Sequence, residues 1–216
     1  MLEVKKISKS IKDKIILDEI NIKVNAGEIY GLLGPNGAGK TTTFYIIAGL
    51  INCESGEINF LNEDISKLPM HKRSQLGIKY LPQESSIFQN LSVYENLLGL
   101  AELSFDNQKD IKKFIDKSIE EFNLSEICDL KGRQLSGGQR RKVEIARTLA
   151  DKPKIILLDE PFAGIDPIAI DDIKNVLKEL SNKNIAVLIT DHNVRETLEI
   201  CNKAAIISNG QILAKG

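Results

Sequence analysis

Apolar and polar residues alternate through Ile20-Asn21-Ile22-Lys23-Val24, which places three apolar side chains on one face and predicts a half-exposed strand. Asn25-Ala26-Gly27 then turns the chain into Glu28-Ile29-Tyr30-Gly31-Leu32-Leu33, whose apolar run predicts a strand covered on both sides. Gly56–Leu61 predicts another antiparallel strand. The first sixty residues thus combine antiparallel strands with one buried strand that feeds a glycine-rich loop and a helix. Between residues 84 and 150 the period becomes helical, with Ile111, Phe114, Ile115, Ile119 and Phe122 forming one stripe whose simplest role is core packing. Two continuous apolar runs, Ile155–Leu158 and Ile185–Ile189, flank a helical pattern at Ile173, Val176, Leu177 and Leu180, the signature of a covered parallel sheet. Ala204–Ser208, Asn209-Gly210 and Gln211–Ala214 predict a closing hairpin whose Asn-Gly suits a type I′ turn. With no internal repeat, linker or low-complexity tract, residues 1–216 predict one α/β domain, with core segments 1–83 and 151–216 and an inserted helical subdomain at about 84–150.

Composition narrows the function classes. Twenty-nine basic residues face 30 acidic ones, so no net field draws the chain to nucleic acid or to an anionic membrane. The apolar runs fall far short of the roughly 18 residues that suggest a membrane span. Met1-Leu2-Glu3-Val4 opens no signal-peptide core. A membrane role would therefore act through a partner rather than by direct insertion. Cys53, Cys128 and Cys201 are odd in number and widely spaced, which predicts reduced thiols in the core rather than a disulfide framework or zinc site. His71 and His192 make no metal site by spacing.

Gly34-Pro35-Asn36-Gly37-Ala38-Gly39-Lys40-Thr41 fits G-x-x-x-x-G-K-[ST] between a predicted buried strand and a helix that continues through Thr42 and Thr43. In that context the glycines let successive N–H groups wrap a phosphate at the positive end of the helix dipole. Lys40 would reach the β- and γ-phosphates of ATP, and the Thr41 hydroxyl would bind Mg²⁺. Asp159-Glu160 closes the apolar strand Lys154–Leu158 and delivers two carboxylates to the C-terminal edge of a parallel sheet, where ligands bind. Asp159 would hold Mg²⁺, and Glu160 would orient or deprotonate the attacking water. In Leu135-Ser136-Gly137-Gly138-Gln139, Ser136 and Gln139 make a capping box. Two glycines in the first helical turn are costly unless something must approach the backbone there, such as the γ-phosphate of ATP.

A P-loop, Leu-Ser-Gly-Gly-Gln and an apolar strand ending in Asp-Glu, in that order, resemble the nucleotide-binding subunit of ATP-binding-cassette (ABC) transporters over essentially the whole chain. The resemblance implies a P-loop NTPase with a RecA-like parallel sheet, an N-terminal antiparallel β subdomain and an inserted α-helical subdomain. It also implies ATP hydrolysis with Mg²⁺ held by Thr41, Gln83 and Asp159, with Gln83 also sensing the membrane partner. His192 would act as the switch histidine on the γ-phosphate, and Asp166, in Ala163-Gly164-Ile165-Asp166, would communicate across a dimer. The family places the Ser136 helix far from its own Lys40, so two chains pair head to tail and Ser136, Gly137, Gly138 and Gln139 grip the partner's ATP. Ile11 matches the usual adenine-stacking aromatic, so apolar contact replaces stacking.

Tyr80–Glu84 with Ser86-Ile87-Phe88, Asp159–Ile168 and Leu188–Leu198 are most similar to the lipopolysaccharide-export (Lpt) branch of that family. That branch implies a homodimer beneath two integral membrane permease subunits, peripheral on the cytoplasmic face of the inner membrane. Phe88 would lie in the groove that receives them, and Gln89-Asn90 stands where basic residues are expected. Relatives continue into further C-terminal helix. The motor of another ABC system, such as a branched-chain amino-acid importer, and a soluble ABC ATPase are the alternatives.

Overall fold

The computed structural model describes residues 1–216. The chain runs through β1 (Leu2–Ile11), β2 (Lys14–Val24), β3 (Ile29–Leu33), α1 (Lys40–Ala48), β4 (Ser55–Phe60), β5 (Glu63–Asp64), α2 (Met70–Leu76) and β6 (Ile78–Leu81). It continues through α3 (Val93–Ser104), α4 (Gln108–Glu121), α5 (Gly137–Thr148), β7 (Ile155–Asp159), α6 (Pro167–Asn182), β8 (Ala186–Thr190), α7 (Val194–Leu198), β9 (Lys203–Ser208) and β10 (Gln211–Lys215).

These strands build two sheets. An antiparallel one is ordered β2-β1-β4-β5, and a six-stranded one is ordered β10-β9-β3-β8-β7-β6, parallel except at β10. The continuous apolar runs follow from the position of the second sheet between two layers. Ile155, Leu157 and Leu188 face a cluster formed with α1 and the antiparallel sheet, whereas Ile156, Leu158, Val187 and Ile189 face one formed with α3 to α6. Because a strand's side chains alternate between faces, covering both faces forces every position to be apolar.

The helical stripe from Ile111 to Phe122 lies on α4 and packs into the second cluster. The hairpin between β9 and β10 turns at Asn209 (φ 46°) and Gly210 (φ 77°), the left-handed pair a type I′ turn requires. The sequence pattern did not reveal that β9 also continues the parallel sheet beside β3, nor the short α2 and β6. Cys53 and Cys201 are half-buried at the margins of the two clusters rather than inside them, and Cys128 is also half-buried; all three are free thiols. No helix is long and apolar enough to cross a membrane.

Candidate functional site

The loop from Gly34 to Gly39 joins the C-terminal end of β3 to α1. Gly39 has φ 107°, and a Cβ there would come within 2.5 Å of a Leu17 methyl and 3.0 Å of the Ile16 carbonyl, so only glycine fits. No side chain caps α1 and no acid occupies its first turn, which leaves the positive end of its dipole unopposed. Buried Lys40 folds back into the loop, its Nζ donating to the carbonyl oxygens of Gly34 (2.7 Å) and Pro35 (3.0 Å). The loop is thereby closed around its own ammonium.

The C-terminal ends of β7 and β8 lie side by side, and Asp159 is opposite Thr190. Asp159 is buried. Its Oδ1 accepts from the Thr190 hydroxyl (2.6 Å), and its Oδ2 accepts from the Tyr80 hydroxyl (3.3 Å). The Tyr80 ring meets Phe44 and Tyr45 edge-on. Burial, reinforced by the Asp159 charge, pushes the Tyr80 hydroxyl above its ordinary pKa and keeps it a donor. Glu160 donates its N–H to the Thr190 carbonyl (2.8 Å) and adopts φ 48°, a left-handed backbone rare for a residue with a side chain. Its Oε1 lies 2.5 Å from His192 Nε2, with the carboxylate 10% exposed and the imidazole 43% exposed. Thr41, Tyr45, Tyr80, Gln83 and Asp159 line a cavity of about 440 Å³. Its hydroxyl, amide and carboxylate oxygens are donors that suit a hard divalent cation.

Ser136 and Gln139 close the predicted capping box, with Ser136 Oγ accepting from the Gln139 N–H (3.2 Å) and Gln139 Oε1 accepting from the Ser136 N–H (2.9 Å). The glycines after Ser136 have a use inside the chain itself. A Cβ on Gly138 would come 2.6 Å from the Ala169 Cβ, and one on Gly137 would come 3.3 Å from the Gly164 carbonyl, so α5 presses directly on the start of α6. Gly137, Gln83, Arg140, Glu160 and Gly164 share a second cavity of about 200 Å³. Gln83 lines both cavities, no residue from Gly34 to Thr42 lines the second, and none from Ser136 to Gln139 lines the first.

Phe88 is 53% exposed, with the Arg147 guanidinium 4.9 Å above its ring. Asp166 is the N-cap of α6, accepting the Ile168 N–H (2.9 Å) ahead of Pro167 in the first turn. Ile11 sits half-exposed at the tip of the β1–β2 hairpin. Tyr80, Thr190 and Asp191, which grip Asp159 and the loops carrying Glu160 and His192, were not singled out in the sequence. The only sequence signal for them was their place in the Tyr80–Glu84 and Thr190-Asp191-His192 runs.

The family model of ABC transporters matches residues 17–163. The chain is 54% identical over 217 residues to the lipopolysaccharide export system ATP-binding protein LptB of Haemophilus influenzae, covering 100% of this chain and 90% of that one. It is 49% identical over 216 residues to LptB of Escherichia coli strain K12, with the same coverage. An ATP-binding cassette of an ABC transporter, solved in its ADP conformation, superposes with a TM-score of 0.89 at 32% identity, covering 100% of this chain and 90% of that chain. A dimeric bacterial ABC transporter cassette superposes at 0.86 and 24% identity, covering 100% and 98%, a likeness of fold alone.

Proposed function

The chain belongs to the ABC transporter family, and from that premise we propose that it is the ATP-hydrolysing motor subunit of a lipopolysaccharide-export transporter. The observation that carries this reading is the full-length 54% and 49% identity to two lipopolysaccharide-export ATP-binding proteins. The geometry supplies the chemistry.

Phosphate oxygens replace the Gly34 and Pro35 carbonyls around Lys40, and the uncapped start of α1 donates its N–H groups to them. Mg²⁺, which would neutralise charge on the β- and γ-phosphates, suits the oxygen donors of Thr41, Gln83 and Asp159. Thr190 and Tyr80 fix the Asp159 carboxylate by occupying one oxygen each. Glu160 is the general base that takes a proton from the attacking water, and His192, in contact with its Oε1, orients it beside the γ-phosphate. Ser136, Gly137, Gly138 and Gln139 close the site in a second copy of the chain. Phe88, held out beside Arg147, and Asp166, at the head of α6, face the permeases and the second copy respectively. The motor is thereby peripheral on the cytoplasmic face of the inner membrane, bound there through its permeases.

The test is a tagged Glu160→Gln chain purified from membranes. We expect ATP binding to persist, turnover to fall by at least about a hundredfold as loss of a general base predicts, and two integral membrane proteins to co-purify with lipopolysaccharide. ATPase near the parent rate refutes the base assignment, and a chain that leaves membranes alone refutes the transporter role.

A further inference from the structure

Between the end of β8 at Thr190 and the start of α7 at Val194 lie three residues, and the middle one is His192. The residue before it, Asp191, is the buried member of the three, 2% exposed. Its carboxylate reaches two backbone amides in different loops. Oδ2 accepts the Phe162 N–H (2.9 Å) and Oδ1 accepts the Asn193 N–H (2.8 Å). Phe162 is two residues beyond Glu160, and Asn193 is next to His192. One side chain thus fastens together the two loops that carry Glu160 and His192, which meet at 2.5 Å.

The body of α7 needs no such fastening, because it is pinned elsewhere. Lys174, buried on α6, holds Glu196 and also Glu199 (2.6 Å) through its ammonium. With α7 anchored by Lys174, Asn193 joined to it as its N-cap, and β8 anchored in the sheet, Asp191 and His192 are the residues between the two anchors, and the Asp191 carboxylate ties them to both loops. A buried carboxylate is a costly way to satisfy two amides. Its advantage is that both oxygens accept, which sets the spacing between the loops as a single neutral acceptor does not.

We infer that Asp191 is a positioning residue for hydrolysis: by bridging the amides of Phe162 and Asn193, it holds His192 against Glu160. The inference rests on the reading of Glu160 as the general base. In Asp191→Asn, one oxygen becomes an NH₂ group facing an amide donor, so one bond is lost and the two loops are free to part.

The test is a double-mutant cycle on the full chain, measuring single-turnover phosphate release, ATP affinity and thermal unfolding for Asp191→Asn, His192→Ala and the pair, with Glu160→Gln as reference. We expect Asp191→Asn to lower the hydrolysis rate about tenfold, the size of one charge-assisted hydrogen bond, with ATP affinity within about twofold of the parent. In the His192→Ala background the same change should cost no more than about twofold, because nothing remains to be positioned. Equal losses in both backgrounds, ATP affinity falling in step with rate, or an unchanged rate would each overturn the assignment. If Asp191→Asn does not fold, Asp191→Ser, which leaves one acceptor, is put through the same cycle with the same criteria. A Glu160→Gln chain that still turns over ATP removes the underlying reading. An Asp191→Asn chain of parental rate beside an inactive Glu160→Gln removes only the positioning role.

Discussion

Arg73 is 1% exposed and meets carbonyl oxygens rather than a carboxylate. Its Nη1 donates to Ile46 (2.6 Å) and Ile47 (2.9 Å) in the last turn of α1, while Nε and Nη2 reach Leu68 (2.8 Å) and Ser66 (2.9 Å). A cation at the C-terminal end of a helix opposes the negative end of its dipole, so Arg73 closes the far end of the helix whose near end is left uncapped beside the glycine-rich loop. Arg73→Met should destabilise the fold by about 3 kcal/mol, because the Ile47, Leu68 and Ser66 carbonyls lose their Arg73 donors while Ile46 keeps the Gly49 N–H. That corresponds to a melting temperature lower by roughly 6–12 °C in thermal unfolding for a chain of this size. Arg73→Lys should recover only part of the loss, since an ammonium cannot span the fork. In the sequence Arg73 is one basic residue beside Lys72, and nothing local distinguishes it from a solvated surface charge. The same limit applies to the left-handed backbone of Glu160, which is imposed by the Thr190 carbonyl on a neighbouring strand. Lys40, Asp159 and Glu160 were legible because each sits at a fixed offset in a short stretch whose flanking elements could be read from periodicity.

Element by element, what the sequence revealed follows how local the determinants are. The capping box at Ser136 and Gln139 and the Asn209-Gly210 turn need only a few consecutive residues, and they form as read. Strand β6 has four residues and no alternation to betray it, so its partner β7 defines it. The start of β3 shows the same dependence on distant partners. Glu28 accepts both the Asn25 N–H (2.8 Å) and the Asn25 side-chain amide (2.7 Å), and its other oxygen lies 2.9 Å from Lys203 Nζ at the start of β9. Burial works to raise the Glu28 pKa, but the Lys203 and Asn25 contacts outweigh it, and the carboxyl ends below the ordinary carboxylate range. A folded-state pKa below the unfolded one means stability that is present at neutral pH and disappears as pH falls through the folded value. The melting-temperature gap between the parent chain and Glu28→Gln should therefore be widest at neutral pH and close on acidification. A gap that widens towards acid would show that the pair does not anchor β3 to β9.

For the molecule as a whole, the arrangement of the two cavities bears on how many chains make one active site. Thr41 and Asp159 line one, Gly137 lines the other, and the Ser136 helix is held in place by the contact of Gly138 with Ala169 rather than being free to swing towards Lys40. If the loop of one chain and the Ser136 helix of another clamp the same triphosphate, a two-fold dimer carries two composite sites, each built from both subunits. This geometry makes mixing informative. A Lys40→Ala chain and a Ser136→Arg chain should each be inactive alone, since every site then lacks one element. In a mixed dimer both lesions fall in one composite site and the other is intact, so random pairing should restore about a quarter of the parent turnover. A site completed within one chain predicts instead that the mixture stays as inactive as its components at every ratio. Turnover per chain should also rise with protein concentration and level off once dimers saturate, because dilution separates the two halves of each site.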